Sequence, residues 1–204
     1  MIGGFAYQGQ VCIHTQRYIV HSSHYDEFLE TMKKGTELLG SGNPEDKDTE
    51  FSSMIDEKNA IRVKEWVDEA VSAGATLVTG GGQQGAFMEP TILTNVPKDT
   101  KVVQEEVFGP VIIIESYDNF DDAIKDVNDT QFGLQAGIYT NDTSELGRAF
   151  RELHVGGVIH NDVPTFRVDH MPYGGVKESG LGREGVKYAI ADMLEPKILV
   201  TKDL

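Results

Sequence analysis

Cysteine and tryptophan occur once each in 204 residues, as Cys12 and Trp66. A single thiol excludes an internal disulfide and fits a reducing compartment. One cysteine with scattered histidines also matches no zinc-ligand spacing, so no metal site is expected. Basic residues are scarce: 18 Lys and Arg stand against 33 Asp and Glu, for a net charge of −15. Nucleic-acid phosphates require a basic face and anionic membranes attract one, so neither is an expected partner. There is no apolar run of spanning length and no basic-then-apolar leader, and the expected location is cytoplasmic. Internal repeats and low-complexity segments are missing as well.

What is present is ordinary for a globular protein: 39% hydrophobic and 25% charged residues. A chain of this length suits one domain, perhaps with a small appendage, that buries about 70% of its unfolded surface. Residues 17–21, β-branched and aromatic, read as a short buried strand. Ser22 or Ser23 suits the cap of a following helix, with Asp26 and Glu27 in its first turn and Tyr25, Phe28, Leu29, Met32, Leu38 and Leu39 on its apolar face. A second long helix is predicted over 57–72, with Ile61, Trp66, Val67, Ala70 and Val71 inward, and a strand over 76–79. Residues 87–96 read as one returning strand. The run Val111-Ile112-Ile113-Ile114 is apolar on both faces, as in a central, helix-covered strand. Helices over 118–127 and from Thr143 or Ser144 to Leu153 alternate with strands over 134–139 and 156–161. This alternation predicts an α/β fold with a largely parallel sheet covered by helices. Residues 196–201 read as a last strand with no partner inside the domain.

Two stretches match the G-x-G-x-x-G nucleotide pattern, and both fail its structural context. That loop has to open a helix whose N-terminal amides face the pyrophosphate. After residues 80–85 comes Phe87-Met88-Glu89-Pro90, and proline so soon forbids the helix, so a hairpin loop is expected. A helix does follow residues 180–185, but no strand precedes them, and a surface loop feeding a helix is the better reading.

Cys12 sits among small and polar residues (Gly3, Gly4, Ala6, Gly9, Gln10) where backbone can approach a ligand closely. Locally it is either a buried small hydrophobe or a candidate nucleophile. His14, His21 and His24 are near in sequence, but strand alternation aligns none of their rings with the thiol. Three ordered motifs bear on the choice: Gly9-Gln10-Val11-Cys12 with Arg17, Glu105-Glu106-Val107-Phe108-Gly109-Pro110, and residues 172–180 (Pro-Tyr-Gly-Gly-Val-Lys-Glu-Ser-Gly). Together they resemble the C-terminal half of the aldehyde dehydrogenase superfamily.

That resemblance implies a catalytic domain over 1–193, an oligomerisation strand over 194–204, and no N-terminal NAD(P)-binding domain within the sequence. It implies Cys12 as nucleophile, adding to an aldehyde so that a thiohemiacetal and then a thioester form, with NAD or NADP taking the hydride. Glu106 then holds the nicotinamide-side ribose and Phe108 packs beside the nicotinamide; without the resemblance, Glu106 and Glu105 are equivalent solvated charges and Phe108 is core. The family's asparagine oxyanion donor and general-base glutamate belong to its other half, so this chain alone is expected to be inactive and to bind the cofactor weakly. The polar-aromatic connection 161–170 corresponds to the aldehyde entrance, which makes Asn161, Phe166 and Arg167 candidate substrate residues. Arg167 suits a substrate carboxylate or phosphate, or equally a salt bridge to Asp169 or another surface carboxylate. The wording around Pro164-Thr165-Phe166-Arg167 leans towards lactaldehyde- or glyceraldehyde-type members. The implied partners are an aldehyde, the dinucleotide-binding domain and a second copy of the chain through residues 196–201. Two readings of another class stay open: a non-catalytic oligomerisation module, and a thiol esterase-like hydrolase using Cys12.

Overall fold

Val111, Ile112, Ile113 and Ile114 are fully buried, and successive side chains enter opposite cores. Val111 and Ile113 join one hydrophobic cluster, Ile112 and Ile114 the other, as the two-residue period of a strand dictates. In the computed structural model, which describes residues 1–202, this segment opens strand β6 (Val111–Tyr117). β6 lies between β1 (Arg17–His21) and β5 (Thr91–Thr94), parallel to both, and β2 (Thr76–Thr79) closes the four-stranded sheet antiparallel to β5. The short N-terminal helix α1 (Ile2–Phe5) and the long α2 (Ser22–Glu37) cover one face, burying Phe5 and Met32 against Ile92, Ile112 and Ile114. Helix α3 (Glu57–Ser72) and the single turn α4 (Lys101–Gln104) cover the other, where Ala60, Val63, Val67 and Ala70 meet Leu93, Val102, Val111 and Ile113. Each fully buried Val, Leu or Ile of this sandwich contributes about 1.5–3 kcal/mol.

The helices begin where their caps permit. Asp56 Oδ1 accepts the Asn59 N–H at 2.7 Å and so starts α3. The α2 cap differs from expectation: β1 runs into the helix without a loop, so its last residue, His21, accepts the Ser23 N–H through Nδ1 at 3.2 Å. Asp26 and Glu27 consequently fall beyond the first turn. The buried face of α3 also differs, since Ile61 and Val71 are exposed. Ala60 and Val63 face the sheet instead, beside the expected Val67 and Ala70.

The expected strand over 87–96 is two. Pro90 lacks an N–H for the ladder, and the chain breaks there into β4 (Phe87–Met88), which forms a hairpin with β3 (Gln83–Gln84), and β5. The glycine-rich residues 80–85 are thus a hairpin approach. Helix α5 (Phe120–Asn128) leads to a separate parallel pair, β7 (Gln135–Ile138) and β8 (Gly157–His160), joined through α6 (Thr143–Glu152). The sheet read as single is therefore a four-stranded sheet and this β-α-β unit. Residues 180–185 lead into α7 (Val186–Asp192), as a loop feeding a helix. Residues 196–201 form no strand. A strand exists through its partner's hydrogen bonds, and in the single chain Ile198, Leu199 and Val200 are exposed without one. The last two positions of the expected 194–204 segment lie outside the described residues. No helix among the described residues is long and apolar enough to cross a membrane.

Candidate active site

Three consecutive residues, Tyr7 (φ 53°), Gln8 (φ 57°) and Gly9 (φ 67°), adopt the left-handed region immediately before the Cys12 turn. For Tyr7 and Gln8 that backbone costs roughly 1–2 kcal/mol each, a strain that collects at functional sites. Gly9 is required by its neighbour as well as by its φ: a Cβ there would lie 2.1 Å from the Gly109 carbonyl oxygen. The Cys12 segment thus lies directly on the 105–110 segment. Gln16 ties the same two together: its Nε2 donates to the carbonyls of Val102 (2.9 Å) and Glu105 (2.8 Å), and its Oε1 accepts the Val107 N–H at 2.9 Å. Gln10 Oε1 accepts the Ile55 N–H at 2.9 Å on the other side. Arg17 joins Glu115 on β6 at 2.7 Å.

Cys12 is exposed in the turn closed by the His14 N–H to Val11 carbonyl bond of 2.9 Å. Among the described residues its own N–H donates to nothing. Of the nearby histidines, His14 and His21 are otherwise engaged. His14 Nε2 is 2.9 Å from the Gly4 carbonyl, and burial lowers its pKa to about 4. His21 caps α2 and packs edge-on to Tyr117. The group that does touch the thiol is Tyr173, whose hydroxyl donates to Cys12 Sγ at 3.4 Å. Behind it the Arg167 guanidinium lies 4.5 Å from the Tyr173 ring centre, and Arg167 Nη2 pairs with Glu184 at 3.3 Å.

The structure therefore brings Cys12 and Arg167 to one place, with Tyr173 between them. The carboxylate that pairs with Arg167 is Glu184, not Asp169. Glu106 and Phe108 stand on the adjoining segment, both facing solvent. Phe108 adopts φ 46°, a left-handed backbone that presents its ring outward instead of into the core. Arg62, stacked on Trp66, donates to the Val107 carbonyl at 2.7 Å and opposes the upward pull of partial burial on the Glu106 carboxyl. Glu105 reaches Gln131 instead, which separates the two glutamates that local sequence leaves equivalent. Asn161, with φ 54°, ends β8 and accepts the Thr140 N–H at 3.2 Å through Oδ1. Phe166 is exposed, and its carbonyl accepts from Gln135 Nε2 at 3.3 Å. Sequence reasoning missed Tyr173, Glu184, Gln16 and Arg62 as site residues. Tyr173 and Cys12 are 161 positions apart, and the sole pointer was that Tyr173 belongs to the third family motif. Among the described residues no group of three or more His, Cys, Asp or Glu is placed to hold a metal.

For a nicotinamide dinucleotide, this arrangement fits one end. Glu106 offers a carboxylate for ribose hydroxyls and Phe108 an exposed ring for a flat heterocycle. Neither glycine-rich match supplies a loop-to-helix phosphate cradle beside them, because the 80–85 loop enters a hairpin and α7 is a seven-residue helix.

The model of the aldehyde dehydrogenase family matches residues 1–199. The 3-sulfolactaldehyde dehydrogenase of Priestia aryabhattai is 54% identical over 192 residues, 94% of this chain and 40% of that protein. Aldehyde dehydrogenase 21 from Physcomitrella patens, solved with the reaction product succinate, superposes with a TM-score of 0.97 at 48% identity, covering 98% of this chain and 42% of the other. The glyceraldehyde-3-phosphate dehydrogenase of Methanocaldococcus jannaschii, solved with NADP, gives a TM-score of 0.90 at 41% identity over 94% of this chain and 42% of that one. The chain spans about 40% of the length of the curated relative. With its three motifs, its sheet and its cysteine turn all within the matched span, the chain belongs to the aldehyde dehydrogenase family.

Proposed function

We propose that this chain is the nucleophile-bearing catalytic portion of an NAD(P)-dependent aldehyde dehydrogenase whose aldehyde carries an anionic group. The observation that carries the reading is the exposed Cys12 thiol and the Arg167 guanidinium on either side of Tyr173. The Cys12 thiolate bonds to the aldehyde carbon while the carbonyl electron pair moves to oxygen, giving a thiohemiacetal. The unengaged Cys12 N–H is a donor for that oxyanion. NAD(P), when bound, supplies the acceptor for the hydride that leaves the carbon. Water then adds to the thioester, the C–S bond breaks, and the acid leaves as the thiolate returns. Glu106 and Phe108 hold the nicotinamide end of the cofactor.

An anionic substrate follows from Arg167. Its planar fork suits carboxylate, sulfonate or phosphate, and Glu184 occupies it in this structure. The relatives' names carry those three anions in sulfolactaldehyde, succinate and glyceraldehyde 3-phosphate. Asn161 and Phe166 precede Arg167 on the same connection and complete the substrate side.

The family resemblance assigns the general-base glutamate and the dinucleotide-binding domain to the part of the relatives that this chain does not match. These 204 residues alone are therefore expected to oxidise no aldehyde and to show negligible NAD+ or NADP+ binding in calorimetric titration. Residues 196–201 gain the hydrogen bonds they lack by pairing with a second copy of the chain. Light scattering before and after deleting residues 196–204 reports on that contact, and a clean monomer at high concentration counts against it.

The test joins this chain to the dinucleotide-binding portion of the sulfolactaldehyde relative and follows reduced cofactor. Cys12→Ala is expected to abolish turnover. Arg167→Leu is expected to raise KM about 100-fold for anionic aldehydes, a charge-assisted bond of about 3 kcal/mol, and to affect propionaldehyde far less. Turnover surviving Cys12→Ala, or equal losses on charged and neutral aldehydes, overturns the reading. Ester hydrolysis by Cys12 with no dehydrogenase activity in the joined protein would favour the thiol hydrolase.

A further inference from the structure

Tyr173 is 7% exposed although it lies in a connection without helix or strand. Separate segments fix it. Its N–H donates to the Glu184 carbonyl at 3.1 Å and its carbonyl accepts the Glu184 N–H at 2.6 Å, an antiparallel bridge. Arg167 covers the ring, and the Glu184 carboxylate in turn anchors Arg167. A phenol held by its backbone and by one face presents its hydroxyl as a fixed donor, and the atom it meets is Cys12 Sγ at 3.4 Å.

We propose that Tyr173 is a positioning residue for the nucleophile: its hydroxyl donates to the Cys12 sulfur, favours the thiolate over the thiol, and holds the sulfur towards Arg167. The proposal rests on Cys12 being the nucleophile. A thiolate accepts a hydrogen bond more strongly than a thiol does, so a fixed donor favours the charged form. Tyr173 itself stays protonated, because burial first, and then the sulfur it faces, push its own ionisation well above the ordinary tyrosine range. Among the charged groups that act on Tyr173, Arg167 favours negative charge and Glu184 opposes it. His14, on the Cys12 segment, is turned to the Gly4 carbonyl and kept neutral by burial, so it contributes no charge.

Iodoacetamide tests this, since the thiolate displaces iodide and forms a stable S–C bond. Alkylation of Cys12 is followed by mass spectrometry across a pH series for this chain and for Tyr173→Phe. The variant is expected to react about tenfold more slowly at neutral pH, with the two rates converging in alkali where both sulfurs are ionised. A purely structural contribution would change the rate by the same factor at every pH. Superimposable profiles, or a pH-independent ratio, overturn the proposal. If Tyr173→Phe does not fold, the wild-type near-ultraviolet tyrosine spectrum decides. Carboxamidomethylation of Cys12 is expected to perturb it, as is Cys12→Ala without reagent, and an unchanged spectrum in both overturns the proposal. Neither measurement requires turnover, so a failure of the dehydrogenase reading is separately visible in the joined protein.

Discussion

Replacing Gly9 with alanine places a carbon 2.1 Å from the Gly109 carbonyl oxygen, 2.6 Å from the carbonyl carbon and 3.1 Å from Pro110 N. All three atoms are backbone, so no rotamer change relieves the clash. The Cys12 and 105–110 segments must instead part by about 1 Å before the contact becomes tolerable. Overpacking of this kind costs about 1–3 kcal/mol. The left-handed φ of 67° adds about 1–2 kcal/mol for any residue with a Cβ. The expected loss is about 2–5 kcal/mol, a large part of a typical domain's total stability. Gly85 is the control: its φ is 57° but nothing lies within 4 Å of an added Cβ, so Gly85→Ala loses only the conformational part, about 1–2 kcal/mol. Urea unfolding of this chain, monitored by circular dichroism, measures both. The displaced segment also carries Cys12 on one side and Glu106 and Phe108 on the other, so Gly9→Ala in the joined protein is expected to lower kcat. Should Gly9→Ala cost no more than Gly85→Ala, the two segments are not in the contact described and the assembly of the site is refuted.

Arg17→Met is expected to cost about 2–4 kcal/mol, because the Arg17 and Glu115 side chains are only 16% and 18% exposed and the carboxylate is left unpaired; Arg17→Met/Glu115→Leu is expected to recover most of it in the same unfolding assay. His14, largely buried with a folded-state pKa of about 4, stays neutral while the unfolded chain binds a proton below pH 6.5. Its contribution is therefore complete above pH 6.5 and is lost as pH falls towards 4, at most about 3 kcal/mol. His14→Gln is expected to flatten stability against pH across that window, and an unchanged slope counts against the burial. Gln16→Leu removes three hydrogen bonds between the Cys12 and 102–107 segments, with an expected cost of about 2–3 kcal/mol and faster limited proteolysis around residues 104–108; unchanged proteolysis would show that Gln16 does not hold the loop.

How much of this was legible depended on the range of the interaction concerned. Helix α3 was readable to its bounds, because a helical apolar period acts within a few residues. The central position of β6 was readable too, since four consecutive apolar residues can be buried on both faces only in the middle of a layered sheet. The cysteine turn, Glu106 and Phe108 were named through motif resemblance, a local pattern of residue identities. Tertiary structure alone decided the edges of the inward face of α3: beside the expected Val67 and Ala70 it buries Ala60 and Val63 and leaves Ile61 and Val71 exposed, because the sheet meets only one stripe of the helix. It also decided that β7 and β8 pair with each other and not with β6, and that residues 196–201 remain without a ladder in the single chain, since a strand's partner is chosen at long range. The contact of Tyr173 with Cys12 belongs to the same class. No local periodicity relates residues 161 positions apart, and the two meet because the Glu184 bridge and the Arg167 stack hold Tyr173 against that one sulfur.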